Sequence, residues 1–209
     1  PNINDFVAGL SRLLSKTGVL HLEFPHLLGL LEGALFDTIY HEHFSYLSVT
    51  ALQGILGRSG LEIFEIEERT THGGSLRVLA RHAHREREPR CSSVDQWLQA
   101  EAAYGVGSEA RHLELQRRAQ QVREDLLMFL MTARREGKKV LGYGAPAKGN
   151  TLLNWCGVGP DLLAFTADLN PVKRGTWLPG TGIPVKSPEA LLEARPDHVL
   201  ILPWNLREE

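Results

Sequence analysis

Lys138-Lys139-Val140-Leu141-Gly142-Tyr143-Gly144-Ala145-Pro146-Ala147-Lys148-Gly149-Asn150 decides how this chain folds. A short apolar run enters a glycine-rich turn and leaves it as a helix-forming run to about Trp155, the strand-turn-helix opening of an α/β domain. Free amides and the helix dipole at such a turn, with the charge of Lys148, can hold a phosphate; the same glycines also suit a tight structural turn. The spacing G-x-G-x-x-x-K-G is neither a P-loop nor the dinucleotide fingerprint, although Asp168, near the end of the next strand, lies about where a ribose-binding carboxylate is expected. Downstream, Leu162 to Ala167 and Val199 to Leu202 read as strands, with Ser187 as cap and Pro188 as first residue of a helix between them. Pro203-Trp204-Asn205 then either closes a pocket at the carboxyl edge of the sheet or caps the core.

Upstream, Ile3, Phe6, Val7, Leu10, Leu13 and Leu14 recur at helical spacing, and Val19 to Phe24 reads as a strand ended by Pro25. A helix from Val49 to Leu56 and strands at Leu61 to Ile66 and Leu76 to Ala80 complete half of an open α/β sheet that ends in a hairpin. The hairpin turn, Thr70-Thr71-His72-Gly73-Gly74-Ser75, has glycines that let backbone approach a neighbour or ligand. His82 to Arg90 is a charged run and reads as a solvated linker; Asp95 to Arg135 is helix-forming, broken at Gly105-Val106-Gly107.

Composition narrows the class. With 209 residues, 43% of them hydrophobic, and a net charge of -2, the chain holds one large or two small cores and shows no global attraction to nucleic acid or anionic membrane. Cys91 and Cys156 stand apart, without the spacing of a structural zinc or a disulfide framework, and a reduced cytoplasm fits best. No apolar run reaches membrane-spanning length, and the start, Pro1-Asn2-Ile3-Asn4-Asp5, has no signal-peptide character. It also lacks an initiator Met, as a processed chain, an excised domain or an incomplete reading frame would.

The chemically densest stretch is Phe36-Asp37-Thr38-Ile39-Tyr40-His41-Glu42-His43-Phe44-Ser45-Tyr46, with two imidazoles, two carboxylates and two phenols in eleven residues. Histidine titrates near neutrality, glutamate can orient it, and tyrosine can donate to an oxyanion, so Tyr40 to His43 contains a proton-transfer kit. A structural hydrogen-bonded cluster is the alternative. Metal ligation by His41 and His43 lacks evident third and fourth ligands nearby. His21, His26, His112 and His198 read as surface or satisfied histidines.

Phe36 to Ser48 (FDTIYHEHFSYLS), Thr71 to Arg77 (THGGSLR), Gly142 to Asn154 (GYGAPAKGNTLLN) and Leu202-Pro203-Trp204-Asn205 together resemble bacterial S-adenosylmethionine-dependent C-methyltransferases of nucleotide-linked keto-deoxysugars. The resemblance implies an α/β chain in three parts: the closing half of a class I methyltransferase sheet (1–82), a charged linker with bridging helices (83–137), and a small Rossmann-like domain that helps hold the nucleotide sugar (138–209). The family's amino-terminal zinc domain and the glycine-rich half that grips S-adenosylmethionine have no counterpart in these residues, so neither zinc nor a complete cofactor site is expected here.

The resemblance also assigns roles. His43 matches the base that removes the proton beside the sugar ketone, Glu42 and Tyr40 match its partners, and His72, Gly73, Gly74 and Ser75 are placed as sugar contacts. Gly142, Gly144, Ala145, Ala147, Lys148 and Asn150, with Asp168 and Asn205, are placed around the nucleotide. In a regular strand Tyr40 and Glu42 would face away from His43, so their convergence requires a turn. A non-catalytic nucleotide-sugar binding module, or an inactive fragment, would keep the Gly142 to Asn150 loop but have no use for the proton-transfer kit. An NAD-dependent oxidoreductase is opposed by the departed fingerprint.

Overall fold

The computed structural model describes residues 2–69, 74–84 and 89–207. They form two compact units: residues 1–35 with 44–115, and residues 36–43 with 116–209.

In the first unit, helix α1 (Ile3–Leu13) is capped by Asn2, whose side-chain oxygen accepts from the Asn4 amide at 3.0 Å. Its apolar face is narrower than the sequence spacing predicts: Val7 is buried, whereas Leu13 is 85% exposed. Strand β1 (Leu20–Pro25), helices α2 (Leu27–Gly33) and α3 (Val49–Arg58), strands β2 (Leu61–Arg69) and β3 (Ser75–His82), and helix α4 (Ser92–Tyr104) follow. The sheet has the order β1-β3-β2, with β3 antiparallel to both neighbours. The pairing of β2 with β3 is the hairpin expected at the end of this half-sheet.

Leu76, Val78 and Ala80 of β3 face the core with Leu61, Ile63 and Ile66 of β2. Ile63 and Ile66 cannot share a face in a regular strand, because side chains alternate. A register shift between Ile63 and Glu65 inserts one extra residue and returns Ile66 to the core. A smaller cluster joins Leu28, Leu30 and Leu31 of α2 to Val106 after α4.

Helix α5 (Glu109–Arg135) begins in the first unit and continues into the second. There strand β4 (Val140–Tyr143), helix α6 (Ala147–Cys156), strands β5 (Thr166–Ala167) and β6 (Val185–Lys186), helix α7 (Pro188–Ala194) and strand β7 (His198–Ile201) follow. The sheet order is β6-β5-β4-β7, all parallel. The chain steps outward from β4 to β6, then returns to place β7 on the other side of β4, as in a Rossmann half, and this reversal opens a crevice at the carboxyl ends of the strands. One core packs α5 and α6 through Leu130, Leu153 and Cys156; another packs Leu191 of α7 with Leu141, Phe165 and Ala167. Burial pushes the Cys156 thiol up to about 11, so it behaves as a small apolar side chain.

The strand expected from Leu162 shortens to Thr166–Ala167, because the amides of Leu162 and Leu163 both turn back to the Gly159 carbonyl. Ser187 and Pro188 start α7 as expected, but the Ser187 hydroxyl bonds the Glu189 carboxylate and makes no side-chain cap to the backbone.

Candidate functional site

The expected turn exists. Phe36–Thr38 is a single 3-10 turn, and the His43 amide donates to the Tyr40 carbonyl at 3.0 Å, reversing the chain over Tyr40 to His43. This brings the Tyr40 and His43 rings to 4.3 Å between centroids, inclined by 33°. His43 Nδ1 lies 2.8 Å from the Thr38 carbonyl oxygen. A carbonyl only accepts, so Nδ1 carries the hydrogen, and in the neutral ring Nε2 is the nitrogen that takes a proton. Glu42 is placed differently: its side chain is 71% exposed and its Oε1 stands 4.0 Å from His41 Nε2.

These residues belong to the second unit, with residues far away in sequence. Trp204 Nε1 donates to Asp37 Oδ2 at 2.7 Å, and the Phe36 ring lies 6.2 Å from that of Trp155. Lys148, 8% exposed, donates from Nζ to Asn205 Oδ1 at 2.8 Å and sits 4.6 Å from the Trp204 ring centroid. Burial lowers the Lys148 pKa, and the Asp37 charge opposes that shift. Burial raises the Asp37 pKa, with the Trp204 hydrogen bond and the Lys148 charge pulling it back. Two predicted site residues, Lys148 and Asn205, are thus in direct contact. Asp37 had no functional assignment from sequence, and Trp204 was read as closing a pocket or capping the core; the density of polar groups around Asp37 was the available clue, but its partner was not.

The glycine turn has packing reasons of its own. Gly144 has φ +86, and a Cβ there would lie 2.4 Å from Pro203 Cδ. At Gly142 a Cβ would meet Thr166 Oγ1, and at Gly149 it would meet Leu202 Cβ, each at 2.7 Å. Ala145 donates its amide to Asp168 Oδ2 at 2.7 Å, and Asp168 Oδ1 accepts from the Asn170 amide at 2.8 Å. Asp168 therefore shapes the turn. Ala147 opens α6, whose N-cap, Pro146, offers no side-chain hydrogen bond, and Asn150 Oδ1 is buried with no partner among the described residues. An open cleft of about 600 Å³ lies over this turn, lined by Tyr143, Gly144, Asp168, Lys173, Pro203 and Arg207 among others. Lys173 donates to the Ala145 carbonyl at 2.8 Å; it was not singled out from sequence.

In the first unit, Ser75 is buried at the start of β3 opposite Pro25, and Gly74 precedes it with φ +123. His72 and Gly73, as well as Arg85 to Glu88 of the charged run, lie outside the described residues. Among the described residues no group of three or more His, Cys, Asp or Glu side chains can hold a metal, and no helix is long and apolar enough to cross a membrane. The strand-to-helix turn from β1 into α2 offers S-adenosylmethionine no glycine opening, and its Gly29 amide is already taken by His26 Nδ1 at 3.1 Å.

The second unit is thus a Rossmann-like module carrying a histidine with a defined tautomer, and the first is the end of a methyltransferase-like sheet. Residues 70–209 match the family described as the C-methyltransferase C-terminal domain, and the chain belongs to that family. Over all 209 of its residues the chain is 37% identical to the protein named C-methyltransferase NovU, from Streptomyces niveus; it spans 50% of that relative's length.

Proposed function

We propose that the chain is the carboxy-terminal part of an S-adenosylmethionine-dependent C-methyltransferase that deprotonates the carbon beside the ketone of a nucleotide-linked deoxysugar. The cofactor supplies the methyl group when bound. The observation that carries the reading is His43: its Nδ1–H is committed to the Thr38 carbonyl, so Nε2 is the basic nitrogen, and the Tyr40 ring lies tilted against it.

His43 takes the proton. Tyr40 donates to the enolate oxygen as negative charge develops there, and Glu42, exposed beside His41, balances charge at the rim. Ser75 is assigned to the sugar, together with His72, Gly73 and Gly74. The nucleotide occupies the cleft over Gly142 to Asn150. The start of α6 faces the diphosphate, Asp168 accepts from the ribose, and Lys173 and Arg207 supply cations at the cleft wall. Lys148 adds its charge from beneath the turn, held by Asn205.

Exchange of solvent deuterium into the substrate carbon isolates the deprotonation. In the full-length protein, His43→Asn is expected to slow that exchange by about 100- to 10,000-fold, the usual worth of a general base. Exchange at the parent rate would remove His43 from the role.

A further inference from the structure

Asp37 is 6% exposed, and burial holds its pKa above the ordinary carboxylate value. A buried carboxylate is expensive, and a side chain present only to fill space would be better apolar. Its Oδ2 accepts the Trp204 indole hydrogen at 2.7 Å, and Trp204 is itself held under the Lys148 ammonium, 4.6 Å from the ring centroid. Asp37 is the middle residue of the Phe36–Thr38 turn. The next carbonyl in the chain, that of Thr38, is the one that receives His43 Nδ1–H at 2.8 Å. The indole thus fixes the carboxylate, the carboxylate fixes the turn, and the turn aims a carbonyl at the imidazole. Which nitrogen of a histidine carries the hydrogen is set by the bond the ring makes.

We propose that the Asp37–Trp204 hydrogen bond is a positioning device that holds His43 in its Nδ1–H tautomer and so leaves Nε2 as the proton acceptor. The proposal rests on the reading of His43 as the base, but its signature is spectroscopic and needs no turnover.

Nitrogen-15 NMR of the labelled chain, at a pH where the ring is neutral and with the His43 signals assigned by their loss in His43→Asn, reads the tautomer directly. The parent is expected to be Nδ1–H. Asp37→Asn keeps a side-chain oxygen that accepts from the indole, and is expected to preserve that tautomer. Asp37→Leu and Trp204→Phe are expected to lower the ratio of Nδ1–H to Nε2–H about fivefold, the scale of one net hydrogen bond. Trp204→Phe removes the donor while keeping an aromatic ring, so it answers the question if Asp37→Leu does not fold; circular dichroism verifies the fold of each variant. A folded Trp204→Phe with an unchanged ratio, or an Asp37→Asn that loses the tautomer, overturns the proposal and leaves His43 as base untouched. Unimpaired deuterium exchange by His43→Asn would instead defeat the base reading, whatever the tautomer.

Discussion

His26 stands between β1 and α2 and caps the helix with its own imidazole, Nδ1 accepting from the Gly29 amide at 3.1 Å. A protonated ring cannot accept there. Burial lowers its pKa from the ordinary 6.5, while Glu68 and Glu101 pull it partly back, and the ring stands edge-on to Trp97 at 5.0 Å. The sign is fixed by which state binds more protons. Between the folded pKa and 6.5 the unfolded chain is protonated at His26 and the folded chain is not, so the contribution is whole above 6.5 and is lost as pH falls through that value toward the folded pKa. Urea unfolding at pH 7.5 and 5.5 is expected to show a larger acid loss in the parent than in His26→Asn, where an amide caps without titrating. Identical losses would show that His26 does not couple to folding. His26 also marks a limit of sequence reading: it was recognisable as a satisfied or surface histidine, but histidine is not among the usual helix caps, so the α2 start was not readable from it.

Among the elements, α3 shows how a distant side chain can complete a helix. Its first amides, Val49 and Thr50, donate to the two carboxylate oxygens of Glu101 on α4, at 2.6 and 2.9 Å, and the Thr50 hydroxyl donates to the same group at 2.6 Å. Ser48 receives the Ala51 amide at 3.0 Å. Glu101 is 2% exposed, so Glu101→Ala would strand buried donors with no water to replace the carboxylate. A loss of about 2–4 kcal/mol is expected in urea unfolding, at the upper end of what caps and unsatisfied donors cost. A loss under about 1 kcal/mol would mean that solvent reaches the helix end after all. Elements with a clear period, α1, α3, α5, β1 and β3, were legible from the sequence because one face of each meets a core. Helix α2 was not, since Leu27–Gly33 is only seven residues long, with two glycines; nor was the shift at Ile63/Glu65, which interrupts the period it preserves. Strand β5 was legible only as the end of a longer apolar run, and the two-residue strand β6 leaves no pattern to read.

At the scale of the whole molecule, the segment proposed to carry the base does not belong with the residues beside it in the chain. Residues 36–43 form a compact unit with 116–209, while 1–35 and 44–115 form the other. The residue types of the site were legible because so dense a cluster of titratable groups has few structural uses. Its anchoring was not, because the Asp37–Trp204 bond spans 167 residues and leaves no local trace. If each unit is stabilised by its own core, protection against hydrogen exchange should follow these units and not the order of the sequence. Leu153 is fully buried in the core of the second unit, and Leu153→Ala is expected to cost about 2–5 kcal/mol there. The amides of Ile39 and His43, bonded to the Phe36 and Tyr40 carbonyls, should then lose protection together with those of β4 and β7. The amides of β1, paired with β3 in the first unit, should keep theirs even though they are much closer to Ile39 along the chain. If β1 lost protection in step with Ile39, or if Ile39 and His43 stayed protected while β4 opened, the site segment would not be a part of the Rossmann-like unit.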